Sequence, residues 1–157
     1  MSMKTILFLL LAGMPVAAAN DAGETVHVAF AIENAAGEPV QSVRQGETLH
    51  FVFRVQNSGA AAVRLASTFP PHDVAVLRAA DNDPAWQAWS GRMFPQVMRV
   101  QELAPGESAE FVIEWRLAAN GGEPLPAGNY LVRPAFRAFI GDRAIAFDAQ
   151  LREITIE

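Results

Sequence analysis

Hydrophobic and polar residues alternate with a period of two along several short segments of the chain. In residues 26–32, 48–56 and 111–117, apolar side chains occupy every second position. These apolar positions are Val26, Val28, Phe30 and Ile32 in the first segment, Leu49, Phe51, Phe53 and Val55 in the second, and Phe111, Ile113, Trp115 and Leu117 in the third. Because alternate side chains of a strand point to opposite faces of its sheet, each segment is predicted to be a strand with one buried face.

Turn-forming residues separate these segments at short intervals. Proline and glycine in residues 104–107, glycines at 121–122 and Gly141 supply the backbone angles that tight turns require. About eight or nine short strands, with turns every ~8 to 12 residues and no helical periodicity, are typical of a β-sandwich. We therefore predict an all-β, single-domain, antiparallel Ig-like β-sandwich. Residues 125–130 also have the L-x-x-G-x-Y arrangement of a tyrosine corner, so a structural role is predicted for Tyr130.

Residues 1–19 have the composition of a secretory signal peptide. Lys4 supplies the positive charge, residues 6–12 form the apolar run, and three alanines at 17–19 are typical of a cleavage site. The apolar run is much shorter than the ~20 residues of a membrane-spanning helix, and the chain has no cysteine to carry a lipid. We therefore predict cleavage near Ala19, a mature domain spanning residues 20–157, a periplasmic or secreted location, and no stable membrane anchor.

The overall charge of the chain is negative and no cluster of basic residues occurs. There are 17 Asp and Glu residues against 12 Lys and Arg residues, and the only lysine, Lys4, lies in the predicted signal peptide. Binding to nucleic acid or to an anionic membrane depends on Lys and Arg side chains that neutralise phosphates. Neither is therefore predicted as a partner.

The sequence offers no established motif for catalysis or metal binding. Its three histidines, His27, His50 and His72, lie in separate segments, and there is no cysteine to act as nucleophile or zinc ligand. His72 follows two prolines, so we expect it in a solvated loop. Met93, Met98 and His72 together would suit Cu(I), but methionine more often fills gaps in a core. We predict that the protein is not an enzyme and that it has no cofactor and no metal site.

An aromatic segment at residues 85–96 is the main candidate for a binding loop. Trp86, Trp89, Arg92, Met93 and Phe94 are of the residue types that are enriched at protein-interaction hot spots. The alternative for the two tryptophans is burial in the core, because their large apolar area is costly to expose. The alternative for the arginine is an ordinary solvated surface position. A second, weaker candidate loop spans residues 119–128.

The order and spacing of residues around this segment resemble the bacterial intracellular proteinase inhibitor (BsuPI) family. The pattern is W-x-x-W-S-x-x-x-F-x-Q, then L-x-P-G-E-S, F-x-x-x-W and G-x-Y. Its residues here are Trp86, Trp89, Ser90, Phe94, Gln96, Leu103, Pro105, Gly106, Glu107, Ser108, Phe111, Trp115, Gly128 and Tyr130. Residues 53–58 and 63–69 fit as well, so the resemblance covers roughly residues 45–135. It implies an inhibitor domain whose partner is a subtilisin-like serine protease.

Two functions are compatible with these features. The first is an exported, protein-binding domain that resembles a proteinase inhibitor and binds a serine protease non-covalently through its loops. The alternative is a periplasmic structural or accessory module that holds protein partners and inhibits no protease. The family's activity is intracellular, whereas residues 1–19 predict export, so the resemblance alone does not identify the target.

Overall fold

The computed structural model of the protein describes residues 25–157, and the predicted signal peptide lies outside them. The described residues form eleven β-strands and no α-helix. The strands are β1 (Val26–Glu33), β2 (Ser42–Val43), β3 (Leu49–Asn57), β4 (Val63–Thr68), β5 (His72–Arg78), β6 (Pro84–Gln87), β7 (Met98–Leu103), β8 (Ser108–Trp115), β9 (Gly128–Ile140), β10 (Arg143–Asp148) and β11 (Arg152–Ile156). The predicted all-β fold is confirmed, and the strands missed by periodicity are the short β2 and β6. Within residues 25–157, no helix is long and apolar enough to cross a membrane.

The smaller sheet contains three antiparallel strands in the order β1-β3-β8. Phe53 of the central strand lies opposite Phe30 on one side and Phe111 on the other, so aromatic side chains form a row across the inner face. The alternation predicted for β1 and β3 is confirmed. One outward position differs, because Val52 is only 2% exposed. Val52 lies in the central strand, where neighbours on both sides shield it from solvent.

The larger sheet is built around β9, which is 13 residues long. Residues 130–132 of β9 pair with both β5 and β11, and residues 135–136 pair with both β5 and β10. Because a strand has only two edges, β10 and β11 share one side of β9 while β4 and β5 share the other. β6 then pairs with β5, and β7 pairs with β4. Among the described strands, the parallel pair is β2 with β11.

Aromatic side chains from the facing sheets form the centre of the core. The rings of Phe51 and Trp115 are 5.8 Å apart, and the rings of Phe53 and Phe136 from opposite sheets are 6.0 Å apart. All four side chains are almost fully buried. Burial of each large apolar side chain is worth about 1.5–3 kcal/mol, and the chain has no cysteine for a disulfide. The stability of the sandwich therefore depends on this packing.

The turn at residues 104–107 carries the chain from the larger sheet to the smaller one. The sequence predicts a tight turn between two strands here, but β7 pairs with β4 while β8 pairs with β3. Asn57 fixes this crossing from a fully buried position. Its Nδ2 donates hydrogen bonds to the carbonyl oxygens of Ala61 at 2.8 Å and Leu103 at 3.0 Å. Its own carbonyl oxygen accepts a 2.7 Å hydrogen bond from the Gly106 N–H.

Tyr130 forms the tyrosine corner that the sequence predicts. Its hydroxyl donates a 2.7 Å hydrogen bond to the carbonyl oxygen of Pro126, and the residue is almost fully buried. Burial also raises the pKa of the phenol. The side chain therefore fixes the connection that leads into β9.

Candidate functional site

The candidate site is centred on the β6–β7 loop, residues 88–97. The loop begins with a turn in which the Arg92 N–H donates a 3.0 Å hydrogen bond to the carbonyl oxygen of Trp89. Gly91, in the third position of this turn, has a φ of 72°, which is the angle that a type II turn requires there. Residues 92–97 contain no regular secondary structure. The local sequence W-S-G-R therefore determines where the loop turns away from the sheet.

Two aromatic side chains anchor the loop to the sandwich. The indole Nε1 of Trp89 donates a 2.6 Å hydrogen bond to the carbonyl oxygen of His72. The ring of Phe94 packs edge-on against Trp89 at 5.5 Å and against Phe69 at 5.4 Å. Edge-to-face aromatic pairs are worth about 0.5–1.5 kcal/mol beyond their buried area. These contacts fix the two ends of the segment from residue 89 to residue 94.

Arg92 and Met93 lie between these anchors and project into solvent. Met93 is 97% exposed, the most exposed of the large hydrophobic side chains among residues 25–157. Arg92 is also exposed, while Phe94 is half-buried. Exposed methionine at a loop tip is unfavourable for solubility and gives no packing energy to the fold. Both side chains are therefore accessible to a binding partner.

A cleft of about 440 Å³ lies beside the loop. Three of the five predicted partner-binding residues line it, namely Trp89, Arg92 and Phe94. Its other wall comes from the β4–β5 connection, the start of β5 and β9, with Pro70, Pro71, Asp73 and Arg137 among the lining residues. The cleft combines rigid apolar walls with charges of both signs.

Trp86 is separated from the other predicted partner-binding residues. It lies in β6, half-buried, with its ring 5.5 Å from Trp115 and 6.0 Å from Phe51. Its contacts are therefore with the core, as the burial alternative expected. Trp89 also packs inward but keeps part of its surface on the cleft.

The second predicted loop supports the first one. The side-chain amide of Asn120 accepts a 2.9 Å hydrogen bond from the Gln87 N–H and donates a 2.7 Å bond to the Gln87 carbonyl oxygen. Gln87 is the last residue of β6, immediately before the β6–β7 loop. The side chain of Asn120 therefore bonds both backbone groups of Gln87, as the backbone of a paired strand would, and so holds the start of the loop. Its only sequence signal is the Asn-Gly-Gly turn, which does not reveal this distant contact.

The other end of the loop is supported by a cation–π contact. The guanidinium carbon of Arg99 lies 4.3 Å from the centre of the Phe69 ring. Phe69 itself packs on Phe94, so the contact extends the anchoring into the first residues of β7. Sequence reasoning missed both residues because their pairing depends on the register of β4 with β7.

His72 is buried, and its predicted position in a solvated loop is wrong. The two prolines end before β5, so His72 is the first residue of that strand and lies opposite Phe136 of β9. It is 5% exposed. Its ring is 5.8 Å from Phe53 and 5.5 Å from both Phe111 and Trp89. It therefore lies in an aromatic cage directly beneath the loop.

The protonation of His72 is unfavourable in this cage. Its Nδ1 is buried and has no hydrogen-bond partner among the described residues. Burial lowers the pKa of His72 to about 4, and the Val112 backbone and the Asp73 carboxylate only partly oppose this effect. A neutral imidazole is thus part of the support for Trp89 at neutral pH.

A larger cleft, of about 770 Å³, lies between β1 and β11, and its lining includes the charged residues Glu33, Arg54, Arg152 and Glu153. Its buried carboxylate, Glu33, accepts hydrogen bonds of 2.7 and 3.2 Å from Arg54, and these bonds raise the pKa of Arg54. Removal of Arg54 would leave this buried carboxylate without its partner, which is costly. Within residues 25–157, no three His, Cys, Asp or Glu side chains are arranged to hold a metal ion.

Comparison with known proteins identifies one protein family. The sequence model of the BsuPI family, described as intracellular proteinase inhibitor, matches residues 39–138 of the chain. No curated protein matches the chain. The matched segment includes all five predicted partner-binding residues, the cleft walls on β5 and most of β9.

Several solved structures match this chain at low sequence identity. The C-terminal domain of wzt has 12% identity and a TM-score of 0.49, with 85% of this chain and 74% of that chain covered. The alkylpurine DNA glycosylase AlkC of Pseudomonas fluorescens has 12% identity and a TM-score of 0.44, with 86% and 31% covered. The sporulation control protein Spo0M of Bacillus subtilis has 15% identity and a TM-score of 0.43, with 85% and 50% covered. The chain thus spans half or less of two of these proteins.

Proposed function

We propose that this chain, which belongs to the BsuPI family of intracellular proteinase inhibitors, binds and inhibits a serine protease non-covalently through its β6–β7 loop. From the composition of residues 1–19 we also propose that the domain is exported. Family membership implies a protease partner in general terms. The serine protease class, the contact loop and the export of the domain are our proposals.

The observation that carries the proposal is the anchored geometry of the loop. Trp89 and Phe94 are fixed to the sandwich, and the residues between them project Arg92 and Met93 into solvent. A loop that is already held in one conformation loses little conformational entropy when it binds. Rigid presentation of an exposed segment is what a stoichiometric inhibitor of a protease cleft requires.

The two exposed side chains indicate which protease pockets could be filled. Met93 is unbranched and apolar, so it suits a hydrophobic specificity pocket. Arg92 suits a pocket with a carboxylate at its base, as in trypsin-like proteases. The apolar residue is at the tip, fully exposed, whereas Arg92 also lines the cleft beside the loop. We therefore place Met93 in the specificity pocket of a subtilisin-like protease.

The test is a titration of purified residues 20–157 against subtilisin-like and trypsin-like serine proteases. We expect stoichiometric loss of activity of at least one subtilisin-like protease, with the domain left uncleaved. Met93→Ala should then weaken inhibition by about 30-fold or more, the effect of losing a hot-spot side chain. Arg92→Ala should have a smaller effect on that protease. If Arg92→Ala has the larger effect, the assignment of the specificity residue is wrong.

The control is Arg44→Ala, which removes an exposed arginine from the β2–β3 turn. It should leave inhibition unchanged. Full activity of every protease in the panel would contradict the inhibitor proposal. Co-purification of a protein from the cell envelope that is not a protease would then favour the accessory module.

Export is tested separately, because it depends on residues 1–19 alone. We expect the full chain, expressed in a Gram-negative host, to appear in the periplasm or medium with a mature N-terminus at Asn20. Retention in the cytoplasm with residues 1–19 still attached would contradict export and leave the inhibitor proposal standing.

A further inference from the structure

The open edge of the larger sheet continues directly from the β6–β7 loop. Among the described strands, β7 pairs only with β4, so its other edge has no partner strand. β6, the loop and β7 follow one another along this edge. Five of the six residues of β7 are exposed, and the strand contains no proline or lysine, although Arg99 and Glu102 are charged. Proline and charged side chains, lysine above all, commonly block natural edge strands, so β7 is only partly protected.

The direction of the backbone groups on β7 follows from hydrogen bonds in β9. The Arg137 N–H donates to the Pro71 carbonyl oxygen, so the backbone groups of Phe139, two residues later, also point toward β4. Ala66 lies opposite both Phe139 and Val100, and its backbone groups therefore bond to β9. It follows that the N–H and C=O of Val100 point away from β4. The residues of β7 with outward backbone groups are Met98, Val100 and Glu102.

Apolar side chains accompany this open edge on the outer face of the sheet. Val100, Ala66, Phe139 and Ala144 lie opposite one another on four neighbouring strands. Val100 is 51% exposed and Phe139 is 42% exposed. The row gives an added strand an apolar surface beside free backbone donors and acceptors. This combination is used when an extended peptide joins a sheet edge.

Pairing of β7 with β7 of a second copy of the chain is disfavoured by its own side chains. A two-fold axis through an antiparallel pair places one residue opposite itself. A register centred on Arg99 sets two like charges opposite each other, which is destabilising. A register centred on Val100 sets Met98 opposite Glu102, and a register centred on Gln101 sets Val100 opposite Glu102. In both registers an apolar side chain faces a carboxylate. A segment of a different protein can avoid both conflicts.

We propose that β7 adds an extended strand of the bound protease to the larger sheet, through the outward backbone groups of Met98, Val100 and Glu102. This proposal rests on the inhibitor function proposed above. The loop would fill the protease cleft, and the adjoining edge would bind the chain segment that borders the cleft. The added strand is expected to carry an apolar side chain opposite Val100.

The test compares Val100→Pro with Val100→Thr in the titration of the inhibited protease. Proline removes the outward N–H and is tolerated on edge strands where that group faces solvent. Threonine keeps the N–H and the branched shape. We expect Val100→Pro to weaken inhibition on the order of tenfold, the loss of one backbone hydrogen bond and its neighbours, and Val100→Thr to stay within about threefold of the unaltered protein. Thermal denaturation of both variants checks their folding.

Hydrogen exchange on the unaltered complex provides a second measurement that needs no variant. The amides of Val100 and Glu102 should exchange at least about tenfold more slowly in the complex than in the free domain. Equal inhibition by the two variants, with no added protection, would overturn this proposal and leave the inhibitor function intact. Absence of binding to any protease would overturn both. Self-association that is abolished by Val100→Pro would show that a second copy occupies the edge.

Discussion

Acidification should destabilise the protein through His72 in a pH range where most carboxylates still carry their charge. The folded state holds this imidazole with a pKa of about 4, against an ordinary value of 6.5. Between these two values the unfolded chain binds a proton that the folded chain does not. The contribution of His72 to the free energy of unfolding should therefore be fully present above about pH 7 and should decrease as the pH falls toward 4. Below about pH 4 this contribution should not decrease further.

The magnitude follows from the two pKa values. At pH 5 an unfolded histidine is almost fully protonated, while His72 in the folded protein is about one-tenth protonated. The difference in proton binding lowers the free energy of unfolding by about 2 kcal/mol at pH 5 relative to pH 7.5, and by about 3 kcal/mol at pH 4. This is a large part of the ~5–15 kcal/mol stability of a typical domain.

Urea denaturation of residues 20–157 at pH 7.5 and pH 5, followed by tryptophan fluorescence, measures this loss. The matched control is His72→Phe, which keeps an aromatic ring in the cage of Phe53, Phe111 and Trp89 but cannot bind a proton. His27 and His50 remain in both proteins, so their contributions cancel in the comparison. The reasoning is refuted if the two proteins lose the same stability between pH 7.5 and pH 5.

Three other changes test the fold and the loop. Asn57→Ala should lower the free energy of unfolding by about 2 kcal/mol, because the buried carbonyl oxygen of Leu103 and the partly buried one of Ala61 lose their donor; a loss below about 0.5 kcal/mol in urea denaturation would contradict its role at the sheet crossing. Tyr130→Phe should cost about 1 kcal/mol through loss of the hydrogen bond to Pro126, and an unchanged melting temperature would argue against the tyrosine corner. A synthetic peptide of residues 88–97 should inhibit the target protease at least ~100-fold more weakly than the domain, because it must be ordered on binding; equal potency would show that anchoring is irrelevant.

The strands could be predicted from sequence because their signal is local. The alternation in β1, β3 and β8 identifies the inward residues without any knowledge of what they pack against, and the structure buries the predicted positions of β1 and β3. The tyrosine corner is likewise a short motif whose hydrogen bond spans only four residues. In each case the information that decides the structure lies within a few residues of the chain.

Two predictions from the sequence were wrong, those for the turn at residues 104–107 and for His72. Both features depend on contacts between residues far apart in the chain. The turn at residues 104–107 has the same local sequence whether it closes a hairpin or crosses between sheets. The crossing depends on the pairing of β7 with β4 and of β8 with β3, and it is held by Asn57, about 50 residues earlier, which binds Leu103. His72 follows two prolines and resembles a loop residue, yet its burial results from pairing with Phe136 of β9. Nothing near these positions in the sequence contains that information.

The candidate site depends both on local sequence and on pairing between distant residues. The residue types of its loop could therefore be read from the sequence, whereas the conformation of the loop could not. The residues of the loop tip are local, since Arg92 and Met93 follow a turn that Gly91 permits. Its anchors are not, because the carbonyl oxygen that holds Trp89 belongs to β5 and the ring that holds Phe94 belongs to Phe69, the residue after β4. The conformation of the loop is therefore a property of the whole sandwich. A substitution that disturbs the β5–β9 pairing should change binding even though it lies far from the loop tip in sequence.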